Sequence, residues 1–190
     1  MSEKIAVLFP GIGYTCDKPL LYYAGKFAAE NGYDLVRVPY KGFPAKVRGD
    51  RKKMEKSFAI ALEQSREMLG EIRWQDYKEI LFISKSIGTV VAAAYAAEKG
   101  IRVRHVFFTP LKETFTFGQK EAVAFHGTAD PWAENQDIEE GCRKAGIPLY
   151  LTAEANHSLE TGDTARDLEG LITVQRRALD WILGNKETSF

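Results

Sequence analysis

Glu79-Ile80-Leu81-Phe82-Ile83-Ser84-Lys85-Ser86-Ile87-Gly88-Thr89-Val90-Val91-Ala92-Ala93-Ala94 is the stretch whose reading decides the fold. Residues 80–83 are branched aliphatic and aromatic, as a strand covered on both faces requires, while residues 90–97 are dominated by alanine, the strongest helix former. Ser86 therefore falls where a strand turns into a helix. A side chain at such a junction projects from the carboxyl edge of a sheet, and the amides that open the helix point back at it with positive dipole character. That placement suits a nucleophile; the plainer reading is a packing turn whose serine caps the helix.

Working outward, strands and helices alternate on both sides of this unit. Before it, Ile5-Ala6-Val7-Leu8-Phe9 reads as a first strand, and Pro19 opens a helix with Leu20, Ala24, Phe27 and Ala28 at helical spacing, stopped by Asn31-Gly32. Residues 34–38 form a second strand. A helix from Met54 carries Phe58, Ala61, Leu62, Ser65 and Leu69. After the unit come strands over 103–108, 121–125 and 148–151, and a helix with Ile138, Cys142 and Ala145 lies between the last two. A long helix from about Thr164 presents Leu168, Leu171, Ile172, Leu179 and Ile182. Residues 114–117 are expected to add a small strand, and 185–190 to fray. The alternation implies an α/β fold with a parallel sheet covered by helices on both faces, in one domain spanning 1–190.

Composition narrows the function classes. Lys plus Arg and Asp plus Glu both number 26, so no global charge draws the chain to nucleic acid or to an anionic membrane. Residues 5–9 are too short for a signal-peptide core and no run reaches membrane-spanning length, so a cytoplasmic protein is expected. The two cysteines, Cys16 and Cys142, are far apart in sequence and indicate neither a disulfide framework nor a zinc site. Between residues 40 and 56 basic side chains outnumber acidic ones. They could attract an anionic substrate, but a solvated loop running into a helix explains them more simply.

A serine nucleophile needs a base, a group to orient that base, and donors for the developing oxyanion. Of three histidines, His105 lies inside a strand and reads as packing, and His126 precedes a Gly-Thr-Ala-Asp turn that it would brace. His157 falls in a loop between the last strand and the last helix, reachable from Ser86 across a doubly wound sheet. Asp130, at the end of the preceding strand, could orient it. Asp130 could equally cap a helix, and His157 could sit in a surface turn. Asp137, Asp163 and Glu154 are weaker candidates for the acid. Gly11 and Gly13, between a strand and a helix, offer a rival reading as a dinucleotide site, but the third glycine position is Cys16 and the second strand ends without an acid for a ribose. Cys16 has no local base to make it a nucleophile.

The Ser84-Lys85-Ser86-Ile87-Gly88 turn resembles the Gly-x-Ser-x-Gly nucleophile elbow of the α/β-hydrolase family, with Ser84 in place of the first glycine. Pro10-Gly11-Ile12-Gly13 is similar to the family's His-Gly-x-Gly segment, and Ser86, Asp130 and His157 follow its order of nucleophile, acid and histidine. The resemblance implies a doubly wound, mostly parallel six-stranded sheet in the order 2-1-3-4-5-6. It implies no cap domain, because residues 109–120 leave no room for a lid. It further implies a Ser86-His157-Asp130 triad with an oxyanion hole built from the amides of Ile87 and Ile12, Gly13 being the next candidate. The expected activity is cofactor-free, metal-free hydrolysis of a small or accessible acyl ester or thioester in a shallow, open site. A non-catalytic binding protein on the same fold, or less plausibly a flavodoxin-like nucleotide binder, is the alternative.

Overall fold

Six short apolar runs pair side by side into one parallel sheet: β1 (Lys4–Phe9), β2 (Asp34–Arg37), β3 (Glu79–Lys85), β4 (Arg104–Phe108), β5 (Ala122–Gly127) and β6 (Leu149–Thr152). The computed structural model describes residues 2–184, so the fraying expected of 185–190 lies outside the described residues. Strand order is β2-β1-β3-β4-β5-β6, the predicted order, and every neighbouring pair is parallel.

The two-residue period of a strand divides its side chains between two helical layers. Ala6 and Leu8, Leu81 and Ile83, Val106 and Phe108, and Val123 and Phe125 all face α1 (Pro19–Glu30) and α5 (Thr164–Leu183). On the other face, Ile5, Val7, Phe9 and Phe82 meet α2 (Arg51–Leu69) and α3 (Ile87–Lys99), while Phe107, Ala122 and Ala124 meet α4 (Asn135–Ala145). Helix α3 is buried along most of its length. Its alanines thus serve close packing as well as helix propensity. The chain leaves β1 for one face and β3 for the other, so the carboxyl ends of these neighbours flank a crevice, where open α/β sheets bind ligands.

Four local expectations are corrected. Residues 114–117 form no strand but the end of a 3-10 helix, Lys112–Phe117. The chain leaves β4 there, and β4 already has β3 and β5 at its sides, so an added strand would find no partner. Helix α2 begins at Arg51 rather than Met54, because Asp50 caps it by accepting from the Lys53 amide at 3.1 Å. Strand β6 starts after Pro148, which lends its carbonyl to Ala124 N–H but has no N–H of its own. On α5 the inward face is Val174, Gln175, Ala178 and Ile182, leaving Leu168 and Ile172 exposed. The buried Gln175 side chain donates to the Leu20 carbonyl at 3.0 Å, so a polar residue occupies the face that apolar spacing alone assigns elsewhere. Among the described residues no helix is long and apolar enough to cross a membrane.

Candidate active site

Ser86 sits between β3 and α3 with φ 58° and ψ −128°, a conformation that non-glycine residues rarely adopt and that costs about 1–3 kcal/mol. Its surroundings hold it there. The Ser86 amide donates to the Phe108 carbonyl at 3.0 Å, and its own carbonyl accepts from Thr89 N–H at 2.9 Å and Thr89 Oγ1 at 2.7 Å. The helix can begin so abruptly because Gly88 has no side chain. A Cβ at that position would lie 2.3 Å from the Phe9 carbonyl oxygen. Ser84, at the position of the first elbow glycine, is fully buried, and its hydroxyl donates to the Val106 carbonyl at 3.3 Å.

His157 and Asp130 arrive from the ends of the next strands. The chain after β6 crosses the end of β5 so closely that a Cβ on Gly127 would lie 2.3 Å from the Ala155 carbonyl oxygen. The Asn156 side chain then accepts from Ser158 N–H at 2.7 Å and shapes the loop that carries the imidazole. His157 Nε2 lies 2.7 Å from Ser86 Oγ, and His157 Nδ1 lies 2.7 Å from Asp130 Oδ2. A carboxylate only accepts, so Nδ1–H donates to Asp130, which leaves the Nε2 lone pair to accept the serine hydroxyl. Asp130 Oδ1 accepts from Trp132 N–H at 2.9 Å.

Electrostatics match this protonation pattern. Burial pushes the Asp130 carboxyl up, but the hydrogen bond and charge of His157 and the Trp132 amide outweigh it and leave the group below its usual range. Burial lowers the His157 pKa; Asp130 opposes that shift and the nearby Lys85 ammonium reinforces it. A buried, neutral imidazole beside an ionised carboxylate can take a proton from a hydroxyl and pass it on.

The turn after β1 closes the other side of the serine. A Cβ on Gly11 would lie 3.1 Å from Ser86 Cβ, and Ile12 packs against Ile87 and its apolar neighbours. The Ile87 amide opens α3, where an N–H has no preceding helical carbonyl to bond. Gly13 is exposed with φ 72°, so its glycine character serves the turn. The structure thus brings Ser86, His157 and Asp130 into one hydrogen-bonded row and sets Gly11 and Ile12 beside the elbow.

The weaker candidates fall elsewhere. Asp163 caps α5 through the amides of Ala165 and Arg166, Glu154 pairs with Arg166, and Asp137 lies in the first turn of α4. Cys16 is buried, which pushes its thiol up to about 11. Buried His105 hydrogen-bonds Gln119, and His126 Nε2 lies 2.8 Å from Asn135 Oδ1, so both meet polar partners away from the serine. Among the described residues no group of three or more His, Cys, Asp and Glu could hold a metal ion.

Three further side chains adjoin the row. The Trp132 ring stacks on the His157 ring at 5.4 Å, His126 Nδ1 lies 3.7 Å from Asp130 Oδ2, and buried Lys85 reaches the His157 carbonyl. His126 reads in the sequence as a brace for the turn that ends in Asp130; sequence reasoning misses Trp132 and Lys85, of which only Lys85 carries a signal, as a charge between a strand core and an elbow. Beside the row, between Ile87 and Trp132, a groove of about 850 Å³ opens toward α2 and the 3-10 helix. The expectation of a shallow, open site meets a groove lined by residues of α2, the 3-10 helix and the turn after β5. The capped start of α2 and the 3-10 helix raise walls that a loop and a strand would not.

No family model and no curated protein matches the chain in sequence. Solved structures do match its shape. A serine hydrolase without a lid from Xanthomonas campestris is 13% identical, with a TM-score of 0.63 over 100% of this chain and 85% of that one. Est1E from Butyrivibrio proteoclasticus, solved with ferulic acid bound, is 12% identical, with a TM-score of 0.70 over 96% and 90%. An esterase from Pyrococcus furiosus is 15% identical, with a TM-score of 0.64 over 95% and 84%. The fold is that of the lidless α/β hydrolases.

Proposed function

With the α/β-hydrolase fold as premise, we propose that this protein is a serine hydrolase that cleaves acyl esters or thioesters through an acyl-enzyme. The row Ser86 Oγ, His157 Nε2, His157 Nδ1 and Asp130 Oδ2, with both hydrogen bonds at 2.7 Å, carries the reading. As the substrate carbonyl is attacked, the Ser86 Oγ to carbon bond forms and the hydroxyl proton moves to His157 Nε2. The tetrahedral oxyanion takes hydrogen bonds from the amides of Ile87 and Ile12, with Gly13 the next donor. Collapse expels the alcohol or thiol, which takes the proton from His157. Water then attacks the acyl-enzyme, gives its proton to His157, and the proton returns to Ser86 Oγ as the acid leaves. Asp130 stays ionised throughout and holds the imidazole tautomer.

A serine hydrolase without a lid and two esterases of the same fold, one of them with ferulic acid bound, favour an open site for an accessible ester. A fluorophosphonate probe with mass mapping of the modified residue tests the assignment. Labelling should fall on Ser86, and Ser86→Ala should lose both labelling and ester turnover while keeping its far-UV spectrum and Tm. Labelling or full activity that persists in that variant would remove Ser86 from the mechanism. A folded wild-type protein that captures ligands but turns over no ester, thioester or amide would be a binding protein on a hydrolase fold.

A further inference from the structure

The groove beside Ser86 defines what the site accepts, and this inference rests on the hydrolase reading. Its floor is Ile87, Val90 and Leu111, an apolar cluster of its own, walled by Phe58 from α2, Phe117 from the 3-10 helix and Trp132. Ser86 and His157 do not themselves line the trough, but Ile87 follows Ser86 and Trp132 stacks on the His157 ring, so its near end lies beside the reacting centre. Charges lie on its margin, where three basic side chains are outnumbered by five acidic ones. Arg51 is paired with Glu55, Lys112 with Asp137 and Asp50 with Lys53, which leaves Arg48 on the margin against Glu113 and Glu134. The basic stretch around residues 41–56 therefore offers little net attraction to an anion at this point.

We propose that the groove takes the acyl side of the substrate and selects an uncharged, apolar acyl group of about six carbons or more over acetyl and over an acyl chain ending in carboxylate. Every methylene moved from water to the Ile87, Val90 and Leu111 floor is favourable, while a terminal carboxylate would meet a margin with excess negative charge. Wild-type enzyme would be assayed with p-nitrophenyl acetate, butyrate and hexanoate and with the p-nitrophenyl monoester of adipic acid. Expected is a rise in kcat/KM of at least about tenfold from acetate to hexanoate, and a fall of at least about tenfold from hexanoate to the adipate monoester. Val90→Phe, checked by Tm, should flatten the chain-length rise. A flat or falling series, or a preference for the adipate monoester, would overturn the groove assignment while fluorophosphonate labelling of Ser86 kept the hydrolase reading. Absence of that labelling would end both.

A separate observation concerns Lys85. Its side chain is 1% exposed, yet it carries an amine. Lys85 Nζ–H donates to the His157 carbonyl at 2.6 Å, and the group lies 5.0 Å from the centre of the Tyr14 ring. The residue before the serine thus grips the backbone of the residue that carries the imidazole. The geometry points to Lys85 as a positioning residue that ties the His157 loop to the elbow and, while charged, holds the imidazole neutral. Burial lowers the Lys85 pKa to about 7 against the opposing charges of Asp130 and Glu160. The other titratable groups facing this cluster are His157, Tyr14 and His126, the last across Asp130.

Lys85→Gln keeps a donor without the charge, and Lys85→Met loses both. Both variants should move the acid limb of the kcat/KM profile to higher pH, and Lys85→Met should also lose at least about tenfold in kcat with little change in KM. An unmoved limb accompanied only by a lower Tm would make Lys85 a packing residue. A measurement without variants tests the same coupling. In wild-type protein the His157 ring resonances should show a second inflection where Lys85 titrates, and a single inflection would overturn the electrostatic part.

Discussion

His157 must be neutral to accept a proton, and its surroundings keep it so. Burial and the Lys85 ammonium lower its pKa against the pull of Asp130, so on the proposed mechanism the acid limb of kcat/KM should fall below the usual imidazole range near 6.5. A limb at or above that value in a pH-rate profile would contradict the assignment. Asp130→Asn replaces a pure acceptor with a group that can also donate to Nδ1, which lets the imidazole turn its N–H toward Ser86. The expected loss in kcat is about three to four orders of magnitude with the fold retained, read from steady-state kinetics and circular dichroism. At this scale residue identity is legible: a hydroxyl at an elbow, an imidazole in a late loop and a carboxylate after a strand stand out in sequence. What is not legible is Lys85 gripping a carbonyl 72 positions away, because nothing local says where a long side chain will end.

Elements decide how tightly these residues are held. The elbow needs Gly88 because α3 starts against the end of β1, and any side chain there collides with backbone rather than with a movable side chain. Gly88→Ala should therefore cost about 1–3 kcal/mol or more in chemical denaturation, with activity falling alongside because Ser86 loses its strained conformation. Helix α2 is capped by Asp50, and Asp50→Ala should cost about 1 kcal/mol and loosen the wall of the groove. Unchanged denaturation midpoints would show that the cap contributes nothing. The existence and order of the elements could be read from their periods, since alternation and helical spacing are local. Their ends were less readable. The start of α2 depends on a cap rather than on apolar spacing, and residues 112–117 coil because no sheet edge is free beside β4.

The whole molecule sets the response to acid. His105 is fully buried between Phe82 and Phe107, and burial lowers its pKa to about 4 despite the hydrogen bond that its Nε2–H donates to Gln119 Oε1. Between about 6.5 and 4 the unfolded chain binds a proton there that the folded chain refuses, so this group lowers stability as pH falls through that window and adds no further loss below it. Tm should drop over that range. The slope should be shallower in His105→Gln, and an identical slope would assign the drop to other groups.

By itself the sequence determined the layered parallel sheet and the three residues on which chemistry could rest, because these follow from short-range periods and chain order, while the strand order was implied by the resemblance of its elbow to the hydrolase family. The tertiary structure alone decided that Ser86 Oγ and the His157 ring, 71 residues apart, come within 2.7 Å, and that an apolar groove with an acidic margin opens beside them. Distances between loops and the shape of a cavity depend on how every layer packs at once, and no local pattern encodes that sum.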